Sequence, residues 1–142
     1  MSAKGVSMCS INVLRDEDGA WALHAIGAGG VCLGVVRLRR WQECHCIGVA
    51  FGLFVDESHR RTRVATMLML RAEDVARLNG ISLLMSTVLA SNAASVGLVT
   101  KRGWWSGLGT IHNPKSGNDL LVYAKSIAGA VFPPAVPAKG AL

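Results

Sequence analysis

Hydrophobic and polar positions change rhythm along this chain. Residues 10–15 and 20–26 alternate, with Trp21, Leu23 and Ala25 on one side. That is the period of two expected of half-buried strands. Asp16-Glu17-Asp18-Gly19 separates the two runs as a turn, and Gly27-Ala28-Gly29-Gly30 makes the next one. Residues 31–38 read as a third strand and lead into Arg37, Arg39 and Arg40. Residues 44–55 are apolar on both faces, as a strand at the centre of a sheet should be. Gly48 and Gly52 within it allow a bulge or a close backbone approach. From Thr62, a plausible N-cap, the period lengthens to that of a helix. Val64, Met67, Leu68, Ala72, Val75 and Leu78 form its apolar stripe, while Glu73, Asp74 and Arg77 fit the solvated side. Asn79-Gly80 is a stop signal. Residues 81–89 read as a buried strand, parallel to the fourth because a helical crossover joins them. Ser91 or Asn92 caps a second helix that runs to Lys101 and ends at Gly103. Residues 104–111 and 120–126 then form a hairpin around a polar loop.

The pattern predicts an α/β fold with a mixed sheet of six or seven strands and two helices in the C-terminal half. It forms one domain over residues 1–127, followed by an Ala/Pro/Gly-rich tail over 128–142. Composition narrows the picture. At 51% hydrophobic residues the bulk of the chain is not disordered. No apolar run approaches the ~20 residues that span a bilayer, and the first residues lack the apolar core of a secretory signal. The expectation is a cytoplasmic protein with no membrane partner. A formal charge of +6 favours an anionic ligand or partner, such as a nucleotide cofactor, a nucleic acid or an acidic protein face, without choosing among them. Cys9, Cys32, Cys44 and Cys46 read as buried core cysteines. In Cys44-His45-Cys46 the two thiols share one strand face and the imidazole faces the other way. No second pair completes a tetrahedral set, so no metal is expected.

The candidate chemistry lies in His59-Arg60-Arg61-Thr62-Arg63-Val64-Ala65-Thr66. A strand that ends in a basic turn and feeds into a helix makes an anion site, because the first helical amides have no internal partner. Three arginines at a helix N-terminus, where the dipole favours acids, make sense beside a multiply charged anion such as a pyrophosphate.

Arg60 to Ala65 resembles the acyl-CoA-binding signature of the GNAT family of N-acetyltransferases, Gln/Arg-x-x-Gly-x-Gly/Ala, with Arg63 where the family usually has glycine. Asn92-Ala93-Ala94-Ser95, then Leu98 and Lys101-Arg102-Gly103-Trp104, resembles the family's Asn-x-x-Ala…Leu-Tyr-x-x-x-Gly-Phe segment, with Val99 in the tyrosine position. The resemblance covers residues 31–125. It implies a GNAT-like acyl-CoA N-acyltransferase fold in which the early helices that wall the acceptor pocket are reduced or missing. It also implies acetyl-CoA, or a related acyl-CoA, as cofactor and an amine as acceptor. An open acceptor face suits a protein or nucleic-acid acceptor, and the exposed sheet edges are compatible with a homodimer.

Carried over residue by residue, the resemblance puts the pantetheine arm against Leu53, Phe54 and Val55. The pyrophosphate goes on the amides of Arg61, Thr62, Arg63, Val64, Ala65 and Thr66, with the side chains of Arg60, Arg61 and Arg63 adding charge. Asn92 holds the arm or merely caps its helix, and Lys101 reaches the phosphates or is an ordinary helix-end lysine. In the first helical turn φ is negative, so Arg63 carries its side chain without strain and either contacts phosphate or blocks it. Val99 cannot protonate the leaving thiolate. The candidate bases are Glu43, just before the fourth strand, and His45 within it; His45 reads as readily as a histidine satisfied at the sheet edge, and His24 has a similar standing. A binding or structural module on the same fold stays open, as does a nucleic-acid surface in which Trp41, Trp104 and Trp105 stack bases beside Arg37, Arg39, Arg40, Lys101 and Arg102.

Overall fold

A computed structural model describes residues 9–60 and 62–127. The expected tail and Arg61 lie outside these residues. The elements follow the hydrophobic rhythm closely: β1 (Ser10–Arg15), β2 (Trp21–Ile26), β3 (Cys32–Arg40), β4 (Ile47–Val55), α1 (Val64–Leu78), β5 (Leu83–Leu89), α2 (Ala93–Lys101), β6 (Trp105–His112) and β7 (Asp119–Ser126). They build one seven-stranded sheet in the order β1-β2-β3-β4-β5-β7-β6. β4 and β5 are its parallel pair, and α1 is the crossover between them.

The core lies between one sheet face and the two helices. Trp21, Leu23, Ala25, Val36, Leu38 and Ala50 pack there with Leu68, Ala72, Val75 and Ala76 of α1, and Val99 of α2 joins them. Burial of Leu23, Leu38, Leu68 and Leu84, each fully enclosed, is the main stabilising term, at roughly 1.5–3 kcal/mol for each large side chain. The helical stripe is rotated from the expected one. Met69 and Ala76 are buried, whereas Leu78 is 79% exposed. Glu73 is buried rather than solvated, at 4% exposure, and takes an ion pair from Lys125 of β7 at 3.0 Å.

Between β1 and β2 there is only the predicted turn, closed by Gly19 N–H on Asp16 C=O at 2.9 Å and by Ala20 N–H on the Asp18 carboxylate at 3.1 Å. That Ala20 amide, and then Arg39, hold the Asp18 carboxyl below its ordinary value. Both helices sit on one side, so the opposite sheet face has no helical cover among the described residues. Arg37 and Arg39 project from this face and lie over the Phe51 ring, with centroid distances of 5.2 and 5.1 Å. They are tied to Asp16 and Asp18. Arg40 donates to the carbonyls of His45 and Asn79, and Trp104 is only 3% exposed. Of the basic and aromatic residues of the possible nucleic-acid surface, Arg37, Arg39, Arg40 and Trp104 are thus engaged within the fold, while Trp41, Trp105 and Lys101 are exposed. Among the described residues no helix is long and apolar enough to cross a membrane.

Candidate active site

β4 and β5 begin side by side and then part. Their register runs Ile47↔Leu83, Gly48↔Leu84 and Val49↔Met85. Beyond it, residues 50–55 of β4 and 86–89 of β5 continue without pairing each other. The cause is local. Arg37 opposes Phe51 and Val35 opposes Phe54, so β4 takes three steps where β3 takes two. This bulge is built on Gly52, whose φ of +67° is costly for any residue with a Cβ. The extra residue bends β4 away from β5.

The resulting cleft has a volume of about 230 Å³ and opens between the helices. Phe51, Gly52 and Leu53 form one wall, and Ser86, Thr87 and Val88 form the other. Asn92, Ser95 and Val99 of α2 and Met69 of α1 close it above the sheet. On the uncovered face the same divergence leaves a second, apolar hollow under Trp41, Val49, Met85 and Val122. A gap in a sheet has unpaired backbone donors and acceptors along both sides, so an extended, amide-bearing chain fits it as an added strand does.

At the open end of β4 the chain turns through a short 3₁₀ segment, Glu57–His59. Ser58 and His59 hydrogen-bond the Asp56 carboxylate and hold its pKa below the ordinary value. Arg60 Nε donates to the Val55 carbonyl at 3.2 Å, which ties its guanidinium to the end of β4. α1 then starts at Val64, and its first backbone bond runs from Met67 N–H to Arg63 C=O at 2.9 Å. Among the described residues the amides of Val64, Ala65 and Thr66 have no acceptor, and the first amides of a helix are the kind of donors that suit an anion.

Several expectations need correction here. Thr62 is not the N-cap; its hydroxyl donates to the His59 carbonyl, and Arg63 occupies the capping position without a side-chain bond. Arg63 does not have negative φ. At φ +71° and ψ +9° it is the one non-glycine residue in the left-handed region among those described. The glycine of the signature is thus a conformational requirement, which this chain meets with a strained arginine. Arg63→Gly is expected to raise unfolding stability by about 1 kcal/mol, read as a higher urea midpoint; a lower midpoint would contradict the strain.

Glu43 and His45 do not reach the cleft. The strand expected from residue 44 begins only at Ile47, because residues 41–46 form turns closed by Trp41 N–H on Ile47 C=O at 2.8 Å. Both residues are exposed, at the paired end of β4 and β5. His45 lies before the start of β4, and the strand from Ile47 to Phe51 alone spans roughly 13 Å. Lys101 lies at the far end of α2 from Asn92, about 13 Å along the axis. Asn92 serves as the helix cap, accepting from Ser95 N–H at 3.1 Å, and also lines the cleft. Leu53 lines the cleft, whereas Phe54 is 57% exposed on the other side of the strand. Val55 ends β4 and holds Arg60. Ser86 and Thr87 were missed; two hydroxyls interrupting an apolar strand were the available signal.

Comparison with known proteins agrees with this geometry. Residues 5–104 match the model of the acetyltransferase (GNAT) family. The chain belongs to this family. An acetyltransferase of the GNAT family from Streptococcus pneumoniae has 23% identity and a TM-score of 0.68, over 79% of this chain and 69% of that one. An N-acetyltransferase from Staphylococcus aureus Mu50 has 23% identity and a TM-score of 0.66, over 76% and 68%. The ribosomal-protein-S18-alanine N-acetyltransferase from Escherichia coli has 19% identity and a TM-score of 0.66, over 81% and 74%. At these identities the likeness is one of fold. No curated protein matches the chain in sequence. The GNAT fold here is complete in sheet and crossover, and its early helices are replaced by the turn at residues 16–20.

Proposed function

We propose that this GNAT-family chain is an N-acyltransferase that moves an acetyl group from acetyl-CoA to an amine. The observation that carries the reading is the parting of β4 and β5 beyond Val49 and Met85, with the anion-ready turn at its mouth. Acetyl-CoA, when bound, supplies an activated thioester. The chain's part is to hold and orient it. The N-terminal amides of α1, Val64 to Thr66, together with Arg60, suit its phosphates, with Arg61 and Arg63 adding positive charge. The backbone of residues 51–53, which does not pair with β5, suits its amide-bearing arm, and an N–H at the bulge can polarise a carbonyl oxygen.

Proton handling follows from the cleft lining, which among the described residues contains no titratable side chain. Val99 offers no phenol, and a thiolate leaves readily because its thiol pKa is near ~8.5. The Ser95 hydroxyl is a donor on that wall. With no base lining the cleft, the acceptor amine has to arrive neutral. This favours an α-amine, with a pKa of about 7.7–8.0, over a lysine at about 10.4. The uncovered sheet face suits an extended acceptor such as a polypeptide N-terminus, and the Escherichia coli neighbour's name likewise gives a protein, ribosomal protein S18, as its acceptor.

The lack of a lining base also favours a second reading, a binding module on the same fold. Calorimetric titration with acetyl-CoA, followed by an acetylation assay on peptide α-amines, separates them. We expect micromolar binding, at about −8 kcal/mol, and turnover. Binding without turnover would favour the module, and no binding at millimolar ligand would remove the transferase and leave a binding or structural module with its cofactor site closed.

A further inference from the structure

The turn that keeps Glu43 and His45 out of the cleft brings two thiols together. Residues 41–47 are folded by three backbone bonds: Trp41 N–H to Ile47 C=O at 2.8 Å, Cys44 N–H to Trp41 C=O at 3.3 Å, and Ile47 N–H to Cys44 C=O at 3.1 Å. The turn is pinned from outside as well. Arg40 donates to the His45 carbonyl at 2.6 Å, and the Cys46 carbonyl accepts from Ser82 and Leu83 N–H at 2.8 and 3.1 Å. In a regular strand Cys44 and Cys46 would stand about 7 Å apart. Here their sulfurs are 3.2 Å apart. Cys46 is exposed and Cys44 half-buried, so a reagent can reach both; the expectation of buried core cysteines fails for this pair, for exposed Cys32 and for half-buried Cys9.

We propose that Cys44 and Cys46 are a redox-active dithiol that closes to an intramolecular disulfide by exchange with a low-molecular-weight disulfide such as oxidised glutathione. The chemistry has two steps. The Cys44 thiolate attacks one sulfur of the small disulfide, forming a mixed disulfide and releasing one small thiol. Cys46 then attacks the Cys44 sulfur, forming the Cys44–Cys46 bond and releasing the second small thiol. The protein is oxidised by two electrons and the small disulfide is reduced by two; the two thiol protons leave with the products. The geometry assigns the order. A hydrogen bond from the Cys46 thiol, with help from the Cys46 and Ile47 amides, holds the Cys44 thiol below its ordinary value, and the same contact pushes Cys46 up. Cys44 is thus the attacking sulfur and Cys46 the resolving one. The closed ring would tie the turn at the paired end of β4 and β5, where the Cys46 carbonyl joins the two strands.

The test uses the full chain, equilibrated in an oxidising glutathione buffer, quenched with acid and N-ethylmaleimide, and cut with trypsin. Cleavage after Arg40 and Arg60 releases a peptide that holds Cys44 and Cys46 but neither Cys9 nor Cys32. The expected wild-type peptide is two hydrogens lighter and carries no maleimide. Cys46→Ser should stop at a glutathione adduct on Cys44, formed at least tenfold faster than the adduct on Cys46 in Cys44→Ser. A wild-type peptide with two maleimides or two glutathiones, or one bridged to another cysteine, overturns the proposal. Equal adduct rates in the two variants overturn the assigned order.

Discussion

Replacing Ser95 by phenylalanine is expected to weaken acetyl-CoA binding at least a hundredfold, about 2.7 kcal/mol, without unfolding the protein. Ser95 stands in the first turn of α2, half-buried, and lines the cleft together with Leu98 and Val99. These three lie at i, i+3 and i+4, so they share one helical face. A benzyl group added there must occupy the gap that the parting strands leave. The helix itself should survive, because its cap uses the Ser95 backbone N–H on Asn92 and not the side chain. Ser95→Ala is the control. It keeps the space and the cap, so binding should stay within a few-fold of wild type, while any fall in turnover would report the hydroxyl's part as a proton donor. The measurement is titration calorimetry alongside a thermal melt. Full affinity in Ser95→Phe, with the melt unchanged, would show that acetyl-CoA does not use this cleft.

The largest effect on stability is expected at Lys125. Its Nζ lies 3.0 Å from Glu73 Oε1 and is the only partner that the buried carboxylate has among the described residues; Oε2 has none. Lys125→Met would leave a charge in a site that is 4% exposed. Removing one partner of a buried pair typically costs about 3 kcal/mol or more. The pair as a whole is a different matter. Taking two charges out of water offsets much of their attraction, so Glu73→Leu combined with Lys125→Met should recover most of the loss. Urea denaturation of the single and double variants at neutral pH gives the cycle. A loss under about 1 kcal/mol in Lys125→Met would place the pair in the class of solvated ion pairs.

That pair also shows where reading the chain reaches its limit. Glu73 sits between Ala72 and Asp74 in α1, and no periodicity argument would bury it in preference to Met67 or Leu78. It is buried where the sheet packs on the helix, and its partner, Lys125 of β7, lies 52 residues downstream. Local signals were dependable where a single segment decides its own conformation. The first two strands and their acidic turn, Asn92 as the cap of α2, and the closing hairpin all follow from alternation, capping and turn chemistry within a few residues. Cys44 to Cys46 looked like strand, being small and apolar, yet hydrogen bonds to Trp41 and to the start of β5 coil them into a turn. That moved His45 and Glu43 away from the cleft.

The amino-acid sequence alone determined the order of the elements, the crossover that makes β4 and β5 parallel, the missing early helices and the basic turn before α1. These rest on short-range periodicity and on one handedness rule, and both are written in consecutive residues. The site itself was decided by tertiary structure. A strand runs straight unless its neighbours hold it in two registers at once; β3 forces the extra residue at Gly52, and the cleft is the space that β4 leaves as it bends. Arg63 takes a left-handed conformation only because that turn must join the end of β4 to a helix packed on the same sheet. Side-chain identity states what each residue prefers, and closing the sheet on its helices settles which preferences give way.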